Sequence, residues 1–430
     1  MRKILFFVLF IISVAQINGQ EKPSISEIIS EANTLYKEKN YKTAKDKYLK
    51  IVELADFEWQ KMNATYNAAR CLALQKKVDS AFVLLDDVVK NGFKYKSYLM
   101  KDSDLAILHK NKKWEKLVDK IPEPNLPNND PNRAQIVTSD IHNFWQAYNL
   151  VREDFLNAKN IYKKYYFEKA SDGMQDYMGA KVSSIDYFVK HVESHPRLYK
   201  TIKENTLMVD EYKKGIQSSF KNLKEIYPKA IFPDVYFIIG AFTSGGTVTP
   251  TGLLIGVNQM SDGEGVDTGE LDFGDKLLMN KSKYLPNVVA HELIHFQQDG
   301  MKKDTTTLGY VIQEGMADFI SELISGETPN RKIFEWAKGK ENKIWSEFKK
   351  DMYYDRYNNW IANYKIASED SYPDLGYWVG YEICKSYYEN SKDKRQAINE
   401  MLNIQDYKEF LKDSKWEHKL KIINQREERI

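Results

Sequence analysis

Two histidines with a glutamate between them are the residues best placed to do chemistry. His291, Glu292 and His295 form the pattern His-Glu-x-x-His in a chain with only 7 His. On a helix, positions four apart share one face, so both imidazoles can bind the same metal ion. Glu292 lies about 100° round the helix, where its carboxylate can act on a metal-bound water. The flanking residues are mostly apolar, which predicts a buried helix whose polar groups a metal would satisfy. The alternative is an ordinary amphipathic helix with incidental polar residues.

A second pair of carboxylates follows downstream. Glu314 and Asp318 stand four positions apart in an apolar stretch. A catalytic zinc site takes three protein ligands and leaves a fourth position for water, and two His plus one Glu form such a set. Asp318 could accept the outer N–H of a ligand imidazole. The alternative for Glu314 is a solvated helix carboxylate, but its apolar surroundings favour a metal ligand.

The two motifs, His291-Glu292-x-x-His295 and Glu314-x-x-x-Asp318, resemble those of the gluzincin group of zinc metallopeptidases. This resemblance implies a zincin-like metallopeptidase domain with zinc as its cofactor and a peptide or protein as its substrate. It implies that His291, His295 and Glu314 bind the zinc and that Glu292 is the general base. Asp318 would orient a ligand histidine, His291 in the first place.

The resemblance also implies roles for residues outside the two motifs. Gluzincins commonly place a Tyr or His near the zinc to donate to the oxyanion, and Tyr377 and Tyr381 are the candidates here. In a chain with 28 Tyr, packing in the core is the alternative for both. The histidine donor of thermolysin has no match. The edge strand expected within residues 245–254 would contact the substrate.

Residues 138–415 also resemble an uncharacterised family of bacterial predicted zinc-dependent proteases. The matching pieces are Asp140-x-x-x-Phe144-Trp145-x-Ala147-Tyr148, the turn at 244–247, the His-Glu-x-x-His motif and Gly376-Tyr377-x-x-Gly380-Tyr381.

The elements that position these residues are mostly helical. Apolar and β-branched runs at 233–240 and 252–257 predict two strands, paired as a hairpin or lying side by side, with a turn region at 244–251. Pro286 favours a helix that begins at that residue or just after it. We therefore predict an α+β fold for residues 137–430, mainly α with a small β-sheet.

Helical hairpins are predicted to precede this domain. Similar segments at 40–44 and 77–81 give a period of 37 positions, close to that of tetratricopeptide repeats. We predict tetratricopeptide-like repeats with a closing cap over residues 20–120 and a Pro-rich linker over 121–136. The repeats provide either a groove for a protein partner or a spacer that packs on the second domain.

The start of the chain and its composition indicate the compartment. Residues 1–19 combine a basic start with an apolar run, which predicts a cleaved signal peptide and a secreted or periplasmic protein. No later run is long and apolar enough to span a membrane, and no Cys follows the signal for lipid attachment. A net charge of +2 gives no case for nucleic acid. A bridge between Cys71 and Cys384 stays open.

Two functions follow from these features. The first is a secreted or periplasmic zinc-dependent peptidase that hydrolyses peptide bonds with zinc-activated water and Glu292 as general base. The alternative is an envelope scaffold or binding protein that uses the tetratricopeptide-like region and carries a structural or inactive zinc domain.

Overall fold

Most of the residues that the structure describes are helical, and one small sheet lies among these helices. The structure, a computed structural model, describes residues 24–122, 128–182, 184–364, 368 and 371–427. The predicted signal peptide therefore lies outside the described residues. The mainly helical content with one four-stranded sheet confirms the predicted α+β class.

The α-helices are α1 Ile25–Lys37, α2 Tyr41–Leu54, α3 Glu58–Leu74, α4 Val78–Lys90, α5 Lys96–Lys101, α6 Lys112–Val118, α7 Ser139–Glu153, α8 Ala158–Tyr162, α9 Asp172–Tyr177, α10 Ile185–Ser194, α11 Pro196–Thr201, α12 Lys203–Leu207, α13 Lys213–Ile226, α14 Phe273–Leu278, α15 Leu285–Gln297, α16 Thr307–Ser325, α17 Arg331–Ala337, α18 Glu341–Asp351, α19 Leu375–Asn390, α20 Lys394–Met401, α21 Tyr407–Ser414 and α22 Trp416–Glu427. Two π-helical turns occur at Lys163–Phe167 and Met178–Val182. The strands are β1 Ile136–Val137, β2 Asp234–Ile238, β3 Gly246–Thr249 and β4 Gly252–Gly256.

The first four helices form two successive hairpins, α1 with α2 and α3 with α4. Small buried residues such as Ala44, Ala68 and Ala69 let the helices approach closely. Arg70 ties α3 to the 3-10 turn Ser103–Leu108 that follows α5. Cys71 is buried in this region and is a free thiol, as is Cys384 in α19.

The sheet has the order β1-β2-β4-β3, with β1, β2 and β4 parallel and β3 antiparallel to β4. The two predicted strands therefore lie side by side in parallel and do not form a hairpin. Part of the predicted turn region is strand β3, which pairs with β4 through a tight turn. Ile136, at the end of the predicted linker, pairs with Val235. Gly252 has φ +156°, and a Cβ there would overlap the carbonyl oxygen of Asp234, so this register requires glycine.

The repeats pack directly on the second domain. Phe57 stacks on Phe167, with ring centroids 5.4 Å apart. The Tyr95 hydroxyl donates to the Asp176 carboxylate at 2.7 Å and lies 2.9 Å from the Thr251 hydroxyl. These contacts hold the repeats against the π-helical turn Lys163–Phe167 and against the turn between β3 and β4. Among the described residues, no helix combines the length and the apolar character needed to cross a membrane.

Helices α16 and α19 approach each other through glycines. A Cβ at Gly380 would overlap the carbonyl oxygen of Val311, and a Cβ at Gly315 would overlap the backbone of Gly380 and Tyr381. The two helices can approach this closely only because both positions are glycine and carry no side chain. The close approach brings the first turns of α19 alongside the middle of α16.

Gly380→Ala should therefore lower the free energy of unfolding by about 2 kcal/mol or more, because the added methyl group forces two buried helices apart. Gly215→Ala in α13 is the matched control, since its Cβ would lie 3.4 Å from Pro286 and alanine favours the helix by about 0.5–1 kcal/mol. Urea unfolding followed by circular dichroism measures both. Equal stabilities for the two variants would contradict the packing described here.

Candidate metal centre

Helices α15 and α16 bring three potential metal ligands together. His291 and His295 face α16 from successive turns of α15, and Glu314 faces them from α16. Their ligand atoms all lie within 4.8 Å of one another. The His291 and His295 Nε2 atoms are 3.0 Å apart, and Glu314 Oε2 is 3.5 Å from the first and 3.2 Å from the second.

These separations suit a tetrahedral metal ion. Zinc binds His nitrogen and carboxylate oxygen at about 2.0–2.1 Å, which places tetrahedral ligand atoms about 3.3 Å apart. The three observed separations lie within 0.3 Å of that value. Two imidazoles and one carboxylate also form a donor set that suits zinc. The residues present therefore fit the predicted ion.

The outer nitrogen of each imidazole is held by a second side chain. His291 Nδ1 lies 2.8 Å from Asp318 Oδ1, and His295 Nδ1 lies 2.8 Å from Gln298 Oε1. The Asn330 amide donates to both oxygens of Asp318, at 3.0 and 2.9 Å. These partners fix both rings so that their Nε2 atoms point toward Glu314, as in many metal sites.

Burial and mutual charge set the ionisation of the cluster. Burial alone would lower the pKa of His291, but hydrogen bonds to Asp318 and Glu314 raise it well above the usual value. Burial alone would raise the pKa of Glu314, but the charge of His295 and hydrogen bonds from both imidazoles hold it well below the usual range. The carboxylate is thus ionised and available as a ligand.

Glu292 lies next to the cluster and faces a cavity of about 440 Å³. Its carboxylate is pressed against Gly246 of β3, where a Cβ would overlap Oε1. Burial raises the pKa of Glu292, and the positive charges of His295 and, more weakly, Lys181 oppose that rise. Lys181 and Tyr377 line the same cavity.

The two candidate tyrosines are placed differently. The Tyr377 ring lies beside His291, with centroids 6.0 Å apart, and burial raises the pKa of its hydroxyl well above the usual value. Its hydroxyl therefore stays protonated. The Tyr381 hydroxyl donates to Glu322, and its ring packs on Phe319 and Phe334, so Tyr381 does not line the cavity.

Sequence reasoning missed three residues of this site. Gln298 follows His295 by three positions, and that helical spacing could have revealed it. Asn330 follows the Gly326 that ends α16 and approaches Asp318 only in the folded chain. Lys181 comes from the π-helical turn Met178–Val182, far from the motifs in sequence.

Comparison with protein families identifies the chain. Residues 127–418 match the family model GldB_lipo, described as gliding motility protein GldB. This match covers more than half of the chain, so the protein belongs to that family. Comparisons with curated proteins and with solved structures find no match.

The predicted class of zinc metallopeptidase is therefore wrong, and with it the prediction of a peptide-hydrolysing enzyme. The matched family is one of gliding motility proteins and not of proteases. The physical reason is that the His-Glu-x-x-His and Glu-x-x-x-Asp spacings specify which side-chain atoms converge. A metal site that catalyses no reaction requires the same side chains to meet at one point. The fold and the metal ligands therefore do not define a reaction. The alternative expectation of an envelope scaffold or binding protein is the closer one.

Asp318→Asn should destabilise the chelator-treated protein by about 3 kcal/mol, because the substitution leaves a charged imidazole buried without its carboxylate. The new amide would also direct a donor at the Asn330 amide. Asp318 is fully buried, whereas the exposed Asp413 gives a matched control. Urea unfolding of Asp413→Asn should match the parent. A stable Asp318→Asn protein would show that this carboxylate does not hold the cluster together.

Proposed function

We propose that this chain serves gliding motility as an envelope scaffold that binds partner proteins and does not cleave them. The observation that carries the proposal is the family match over residues 127–418. The signal-like residues 1–19 support an envelope location, since they would direct the chain out of the cytoplasm. A partner protein would then bind at a solvent-exposed surface of the fold.

The repeats supply one such surface, a groove of about 110 Å³ between α1, α2 and α3. The Tyr48 hydroxyl donates to Asn33 Oδ1 at 2.8 Å, and Arg70 donates to Asn67 Oδ1 at 3.0 Å. Both carboxamide oxygens are thus occupied by neighbours, and the amide N–H groups remain as donors for a partner. Trp59 supplies an aromatic wall. A single side chain of a partner protein, with a carbonyl group to accept these hydrogen bonds, fits a groove of this size.

The groove contacts the domain that matches the family model. Gly179 of the π-helical turn Met178–Val182 forms part of its lining, and a Cβ there would lie 2.7 Å from Asn63 Nδ2. Lys163 of the second domain pairs with Asp56 of the repeats at 3.0 Å. A partner bound in the groove therefore contacts both domains, as a scaffold requires.

Zinc is the second part of the proposal. His291, His295 and Glu314 would hold one zinc ion, with Asp318 and Gln298 fixing the two imidazoles. The support is the convergence of three ligand atoms at near-tetrahedral separations. The ion would neutralise the half-buried carboxylate of Glu314 and join α15 to α16, which is a stabilising role that needs no turnover.

One zinc per chain is the expected result of metal analysis after dialysis against zinc and removal of free metal. His295→Ala should lose the ion because two ligands remain, and Asp318→Asn should weaken binding about 10–100-fold. Zinc at a thousandfold excess over its dissociation constant should stabilise the parent by about 4 kcal/mol. His418→Ala, at an exposed histidine, is the control and should retain the metal. Equal zinc contents in His295→Ala and in the parent would contradict the proposed metal centre.

Motility of complemented deletion cells tests the scaffold. Glu292→Gln should restore gliding fully, because no hydrolysis is required, and Asp87→Lys, outside the groove, should do the same. Asn33→Lys should abolish gliding, because it places a bulky cation in the groove. Colony spreading and cell tracking give the readout, with immunoblots to confirm equal protein levels. Loss of gliding in Glu292→Gln at normal abundance and zinc content would contradict the proposal.

A further inference from the structure

Two lysines line the cavity beside the metal centre, and among the described residues Lys181 is the one that forms neither an ion pair nor a hydrogen bond through its ammonium group. Among the described residues, no carboxylate forms an ion pair with Lys181, which is half-buried in the cavity wall. The other lysine of the lining, Lys332, donates to the Met279 carbonyl oxygen at 2.7 Å. A half-buried ammonium group without a counter-ion is available to an anion from solution.

The rest of the cavity lining is mixed, with carboxylates such as Glu292 and Asp374 beside an apolar part. Leu277, Val288, Ile333 and Ile361 contribute aliphatic surface. The Tyr377 hydroxyl has no hydrogen-bond partner among the described residues and is a donor for a polar ligand group. A ligand that lies against Lys181 and the aliphatic part of the lining therefore combines an apolar body with an acidic head, and the volume of about 440 Å³ suits about two or three residues of peptide.

The geometry points to a carboxylate-binding site in this cavity, in which Lys181 holds the carboxylate of an apolar peptide end. The inference rests on the proposed function, since it assumes that the protein acts by binding. It gives Lys181 a role that neither the predicted zinc set nor the family match assigns. Glu292 lines the same cavity and its charge interacts with that of Lys181, but the two side chains form no ion pair among the described residues.

Isothermal titration of the full chain with N-acetyl-leucyl-leucine tests this site. The matched probe is the same dipeptide with its C-terminal carboxylate converted to an amide. A charge-assisted hydrogen bond is worth about 1.5–3 kcal/mol, so the acid should bind about tenfold or more tightly than the amide. Lys181→Met should remove this preference, and Lys181→Arg should keep it. Lys190→Met, at an exposed lysine, should bind as the parent does.

The outcomes separate this inference from the proposed function. Equal affinity for acid and amide, no binding of either, or an unchanged preference in Lys181→Met would overturn the carboxylate site. Zinc content and thermal unfolding measured on the same samples show whether each variant is folded and loaded. A zinc-free parent that still prefers the acid would support the site and contradict only the metal centre. If Asn33→Lys does not affect gliding, the result contradicts the scaffold proposal and leaves the carboxylate site unaffected.

Discussion

Burial of four ionisable side chains between α15 and α16 is the constraint on which this structure depends. His291 and Asp318 are buried and His295 and Glu314 are half-buried, so an uncompensated charge in this group is costly. Each is compensated by another member of the group, and Asn330 completes the set around Asp318. The arrangement works only if the two helices keep their register, so the surrounding fold must hold α15 and α16 in place.

The surrounding elements supply that restraint from two sides. The sheet lies against α15, and Gly246 of β3 packs on Glu292 without a side chain between them. On the far side, α19 presses on α16 through Gly315 and Gly380. The same contact places Tyr377 beside His291 while its neighbour one turn later, Tyr381, faces away toward Glu322. The close packing at Gly246, Gly315 and Gly380 therefore helps to determine which side chains line the cavity.

Part of this arrangement could be predicted from sequence, because local spacing on a helix is reliable. The shared face of His291 and His295 followed from helical periodicity, whereas Glu314 followed from the composition of known zinc sites and the resemblance to gluzincins. The α+β class followed from the apolar and β-branched patterns. The parallel pairing of β2 with β4 could not be predicted from sequence, because strand direction depends on contacts between residues distant in sequence. Which of Tyr377 and Tyr381 lines the cavity could not be predicted either, since it depends on the packing of α19.

The incorrect functional class has a similar origin. A short motif specifies which atoms converge, whereas the function of the protein depends on everything else that faces those atoms. The family match draws on nearly three hundred positions and therefore reports on the whole domain.

One segment connects the two surfaces on which binding would depend. The π-helical turn Met178–Val182 contributes Gly179 to the groove of the repeats and Lys181 to the cavity beside the metal centre. Such turns insert one extra residue into a helix and often occur at functional sites. Because the two residues are two positions apart on one short turn, a shift of the backbone at Gly179 must also move Lys181. The repeats also contact the second domain through Phe57 and Tyr95, so the groove and the cavity belong to one packed structure.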